Sequence, residues 1–145
     1  MKNDFALRWP KKAGVYWAVI YLVAMIGYEA ILGRSFHFTD DMFILANVPF
    51  APIIEELVYR GVVMTYLLER GSVARAIVLS TGLFIVAHWP GWILYSQVSF
   101  QQLLVLSFQV GYFGLALGYI RHKGNSVWPP VVLHIVNNYL SFGRV

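Results

Sequence analysis

The sequence predicts an all-α, polytopic membrane helix bundle of about five transmembrane helices. Three observations lead there. Charged residues make up 12% of the 145-residue chain and hydrophobic ones 59%, whereas a soluble domain carries about 25% charge. A chain so poor in charge keeps most of its surface against something other than water, which excludes an ordinary soluble domain and a disordered chain. Apolar runs recur at about 20 residues, the length that crosses a bilayer. The few charges inside those runs are confined to short motifs. Five spans use about 100 residues, so residues 1–145 form a single membrane-embedded domain, with the motif-bearing part at about 45–142.

The first span covers residues 14–32. Lys2, Arg8, Lys11 and Lys12 precede it, as in a secretory signal. The run is about 19 residues, however, longer than the usual signal core, and no A-x-A site follows, so it reads as an uncleaved span. The second helix covers 42–69, with Pro49 and Pro52 in its first half. The third covers 73–89 and ends at Pro90-Gly91. An apolar, aromatic stretch follows to residue 100, and Trp89, Trp92, Tyr95 and Phe100 read as an interfacial belt. The fourth covers 101–120, where Gly111, Gly114 and Gly118 permit close helix packing. The fifth covers 126–142, with Pro129 and Pro130 in its first turn, where proline is tolerated.

The net charge is +4, but the basic residues lie in short clusters between apolar runs. They make no stripe suited to nucleic acid, so no nucleic-acid partner is expected. With the N-terminus inside, the inner segments hold Lys2, Arg8, Lys11, Lys12, Arg70, Arg75, Arg121 and Lys123, and the outer ones only Arg34 and Arg144. The positive-inside rule therefore favours a cell-membrane protein with its N-terminus cytoplasmic and its C-terminus outside. Zero cysteine excludes disulfides, thiolate nucleophiles and iron–sulfur clusters.

Charges at membrane depth are costly and mark function. Glu56 and Arg60 are spaced i, i+4 and meet on one face, a self-neutralising pair in the favourable order. Glu55 points about 100° away and has no cation on its own helix. Its i+4 neighbour, Tyr59, offers only a hydrogen bond. A carboxylate left without a cation suits a general base. His88 lies near the outer end of the third helix, one turn after Phe84. His134 and Asn138 share a face of the fifth. At 1.5 Å per residue, Glu55, His88, His134 and Asn138 lie about 21, 22, 12 and 18 Å from the inner ends of their helices. Taken singly, each histidine reads as a satisfied core residue and Asn138 as helix–helix glue. At comparable depth on three helices, facing inward because lipid cannot satisfy them, they make a site. Glu29, near the outer end of the first span, is expected to reach water.

Glu55-Glu56-Leu57-Val58-Tyr59-Arg60, Phe84-Ile85-Val86-Ala87-His88 and His134-Ile135-Val136-Asn137-Asn138 resemble, in order, the E-E-x-x-x-R, F-x-x-x-H and H-x-x-x-N motifs of the CAAX-protease and bacteriocin-processing (Abi) family of glutamate-dependent intramembrane proteases. Residues 118–121 and 126–130 also look like that family's approach to its last motif. The resemblance implies an intramembrane endopeptidase with its active site within the membrane. Glu55 and His88 would activate a water, His134 and Asn138 would stabilise the oxyanion, and Glu56 and Arg60 would hold the site in shape. It implies no cofactor and no metal. The partners are the lipid bilayer and a membrane-associated peptide or protein substrate. The chain is shorter than many members, which favours prokaryotic peptide processing over prenylated substrates. Three other readings compete. Glu55, His88 and His134 match a His₂Glu zinc set, without an H-E-x-x-H motif. A non-enzymatic chaperone or immunity factor of the same fold would be expected to have lost a motif residue. A proton-coupled transporter would be expected to show a repeat.

Overall fold

A computed structural model describes residues 6–33, 42, 45 and 48–142, and among these every regular element is helical. Helix α1 is Lys12–Ile31. Helix α2 is Phe50–Glu56; it continues without a break through a π-helical turn, Leu57–Val63, into α3, Met64–Leu68. Helix α4, Val73–Pro90, runs on through a second π-helical stretch, Gly91–Tyr95. Helices α5, Phe100–Gly124, and α6, Trp128–Phe142, complete the bundle. Among the described residues five continuous rods stand, where five helices were expected. Three of them, Lys12–Ile31, Val73–Tyr95 and Phe100–Gly124, are long and apolar enough to cross a membrane. The protein is a helical membrane bundle.

The differences from expectation have local causes. An unbroken second rod begins at Phe50, although Met42 and Leu45 are also helical. Pro49 caps it and Pro52 falls in its first turn, where backbone N–H groups have no intrahelical acceptor and proline removes nothing. Pro90 does not end the third rod. Its backbone stays helical at φ −56°, ψ −42°, and the helix absorbs the missing donor by widening into π geometry. The span therefore reaches 23 residues. The fourth rod starts at a capping box between Ser99 and Gln102 and ends at Asn125, whose φ of 48° is left-handed. It thereby takes in residues 121–124, expected as loop.

Helix α5 is central and packs against α1, α4 and α6. Phe113, Leu117 and Ile120 of α5 join Leu133 of α6 in the core, and Ala18, Tyr21 and Leu22 of α1 pack onto it. Gly14 on α1 lies against the Gly124 backbone, leaving no room for a Cβ, and Lys11 N–H donates to Gly124 O at 2.8 Å. Ser126 Oγ donates to Arg8 O at 2.7 Å and Val127 N–H to Ala6 O at 3.0 Å. These bonds tie the residues before α1 to the α5–α6 turn. Outward positions such as Val19, Val23, Val105 and Phe108 are exposed, as befits helices apolar on every side and solvated by lipid. Glu29 departs from expectation: it is 2% exposed and is partnered within the protein.

Candidate active site

The polar residues of the second rod and of α6 meet in the interior. Glu56 and Arg60 are both fully buried, with Arg60 Nη1 donating to Glu56 Oε1 at 3.0 Å. Arg60 Nη2 donates to the carbonyl of Gly114 on α5 at 3.1 Å. A Cβ at Gly114 would stand 2.8 Å from Thr81 Cγ2 and 3.1 Å from Arg60 Nη2, so only glycine lets the guanidinium reach that carbonyl. The Arg60 guanidinium also lies 4.4 Å over the Phe84 ring, a cation–π contact in an apolar surround. A buried charge in lipid needs this degree of satisfaction.

His134 stands between the two carboxylates. Its Nδ1 is 2.9 Å from Glu56 Oε1 and its Nε2 is 3.6 Å from Glu55 Oε2. Glu55 and Glu56 point about 100° apart on their helix, yet one imidazole meets both because its two nitrogens face different sides. A carboxylate can only accept, so Nδ1 carries a proton. Donation from Nε2 as well requires the doubly protonated ring. Glu55 is not fully buried, its side chain being 31% exposed. It approaches His134 and also interacts electrostatically with Tyr59, whose ring packs on Phe84 with centroids 5.2 Å apart. The expectation that Glu55 lacks a cationic partner is thus modified: His134 comes within 3.6 Å, and Arg60 of the same rod interacts with it electrostatically.

His88 approaches the site through Phe84. The ring centroids lie 4.6 Å apart for Phe84 and His88 and 5.8 Å for Phe84 and His134. His88 Nδ1 lies 2.7 Å from Phe84 O. A carbonyl only accepts, so Nδ1 donates and the neutral ring leaves the Nε2 lone pair free. Trp92 packs over the other side of His88 at 5.3 Å, so it is a wall of the site and not only part of an interfacial belt. Asn138 follows His134 by one turn and is half-buried. Among the described residues its side chain has no hydrogen-bond partner. Glu55, Glu56, Arg60 and His134 are thus joined by polar contacts, and His88 is linked to them through the Phe84 ring. Among the described residues, no three His, Cys, Asp or Glu side chains are arranged to hold a metal ion.

Three participants were given no role in the site from the sequence. Phe84 is 1% exposed and touches Tyr59, Arg60, His88 and His134; its i, i−4 spacing from His88 was the available signal. Phe113 packs against His134 with centroids 5.2 Å apart. Gly114 contributes its carbonyl, and the Gly111/Gly114/Gly118 pattern had pointed only to packing.

The family model described as "Rce1-like: Type II CAAX prenyl endopeptidase Rce1-like" matches residues 37–140. No curated protein and no solved structure matches the chain.

Proposed function

As the chain belongs to the Rce1-like type II CAAX prenyl endopeptidase family, a family of membrane proteases, we propose that it hydrolyses a peptide bond of a membrane-associated peptide or protein with a water activated by Glu55. The observation that carries this reading is the single imidazole of His134 held between Glu55 and Glu56, at 3.6 and 2.9 Å. Amide hydrolysis needs a base to take a proton from water and donors for the oxyanion that forms. Water oxygen adds to the carbonyl carbon, its proton passes to the Glu55 carboxylate, and that proton goes on to the leaving amine as the C–N bond breaks. The free Nε2 of His88 orients the attacking water. His134, kept in register by Glu56, and Asn138 donate to the oxyanion. Arg60 balances the charge of Glu56, and Gly114 and Phe84 hold Arg60. We read the N-terminus as cytoplasmic from the basic residues at that end of the bundle, in a prokaryotic plasma membrane.

The test uses the full chain in liposomes with a membrane-associated peptide in ¹⁸O-labelled water. Cleavage is expected to place one ¹⁸O in the new carboxyl terminus, read by mass spectrometry. A folded protein that yields no product with a panel of such peptides would support the non-enzymatic reading instead. Asn138→Ala is expected to lower kcat by about 10²-fold with KM nearly unchanged, as for removal of an oxyanion donor. A change confined to KM would assign Asn138 to substrate binding.

A further inference from the structure

We propose that Arg121 is a positioning residue of this site: it secures the π-helical turn that sets how Glu55, Glu56 and Arg60 face His134. The inference rests on the proteolytic reading above for its effect on turnover and on the backbone geometry alone for its structural half.

Within Leu57–Val63 the helix carries extra backbone. Met64 N–H donates to Tyr59 O, five residues back. In a regular α-helix it would donate to Arg60 O, four residues back. The Arg60 carbonyl thus loses the donor that an α-helix supplies, at a depth where no lipid group replaces it. Arg121, from α5, supplies it: Nε donates to Arg60 O at 2.9 Å. The same guanidinium donates through Nη2 to Thr65 Oγ1 at 2.6 Å, one residue beyond Met64. One planar fork therefore clips both sides of the widened turn. Arg121 is 4% exposed, so it is not the solvated inner-loop charge expected from its place among the basic residues.

The residue whose carbonyl is secured is the one whose side chain holds Glu56 and Gly114. Arg60 is fixed at its backbone by α5 through Arg121 and at its guanidinium by α5 through Gly114. Without the clip, the turn is free to relax to regular α geometry, with Met64 N–H returning to Arg60 O. Taking up one residue of slack turns the segment bearing Glu55 and Glu56 by about 100° relative to α3. That rotation withdraws both carboxylates from His134. π-bulges recur at functional sites for this reason, since they bring side chains to an angle that a uniform helix does not reach. Lysine cannot replace Arg121, because an ammonium lacks the fixed fork that spans two acceptors.

The experiment compares Arg121→Gln, Arg121→Lys, Thr65→Val and the control Lys123→Gln, all full-length in detergent. Arg121→Gln and Arg121→Lys are expected to lower kcat about tenfold to a hundredfold at near-constant KM, with helix content retained. Thr65→Val, which removes only the side-chain acceptor, gives a smaller loss in the same direction. Lys123→Gln, one turn-end charge away, keeps wild-type turnover. An activity-independent readout accompanies them. Labelling arginine carbonyls with ¹³C and glycine amides with ¹⁵N selects the two Arg-Gly pairs, Arg60–Gly61 and Arg70–Gly71. The Arg60 carbonyl resonance is expected to move in both Arg121 variants, and the Arg70 one to stay. An unmoved Arg60 resonance, or folded Arg121 variants with wild-type kcat, overturns the proposal. Should Arg121→Gln fail to fold, Thr65→Val and Arg121→Lys decide the same question. A wild-type protein that cleaves nothing would sink the proteolytic reading alone, and the clip would then stand or fall on the carbonyl resonance.

Discussion

Glu55→Gln is expected to lower kcat by about 10²–10⁴-fold, the range for loss of a general base. The substitution changes one atom of a side chain that is 31% exposed and approaches the buried network at His134, 3.6 Å away. The fold therefore survives: helix content and melting temperature are expected to match those of the wild type. Gln keeps the shape and an oxygen acceptor, so a role in packing or hydrogen bonding alone would leave most activity in place. What Gln lacks is the capacity to take a proton. Kinetics with a cleaved peptide, on protein checked for folding, give the answer. Retention of more than a tenth of wild-type kcat would remove Glu55 from the base role and turn attention to the free Nε2 of His88.

Glu56→Gln acts on the fold as well as on turnover. Glu56 Oε1 accepts from Arg60 at 3.0 Å and from His134 at 2.9 Å, and both Glu56 and Arg60 are fully buried. Removing one charge of a buried pair leaves the other uncompensated, which costs about 3–5 kcal/mol. A second cost comes from the new amide nitrogen. If it takes the place of Oε2, it stands where no partner among the described residues accepts from it, and if it takes the place of Oε1, it opposes two donors. Unfolding in detergent, followed by the loss of helix signal, is the measurement, and a melting temperature equal to the wild type would refute the pairing. The double variant Glu56→Leu with Arg60→Met separates stability from catalysis. Replacing both charges with apolar groups recovers most of the stability, since well-packed hydrophobic residues replace buried ion pairs at little cost. Activity stays lost, because His134 has no acceptor at Nδ1 to fix its tautomer and tilt.

The two variants differ because of what the chain makes visible locally. The Glu56–Arg60 pair was legible in the sequence: i, i+4 spacing puts two side chains on one helical face whatever surrounds it. The depth argument from 1.5 Å per residue also brought the second rod and α6 to one level. It did not say which histidine Glu55 faces. The nearest is His134, 78 residues on from Glu56 in the chain, and not His88. Sequence spacing carries no information about how two helices rotate against each other. Pro90 misled in the same way. A proline inside an apolar run reads as a stop, yet the following turn widens and the helix runs to Tyr95.

By itself, the sequence determined the environment and the inventory. Charge scarcity and apolar runs of spanning length require a membrane bundle, and the same scarcity makes each mid-span Glu, Arg, His and Asn conspicuous. These are properties of composition and of periodicity within one helix. Only the tertiary structure decided that Glu56 serves Arg60 and His134 through one oxygen, that Gly114 gives its carbonyl, and that Arg121 is buried against the Arg60 backbone. Each depends on a contact between helices, and one depends on a π turn that breaks the 3.6-residue period. A helix's own pattern shows which residues share a face. The neighbour that meets that face is chosen by packing, and here packing joins residues 54 to 78 positions apart.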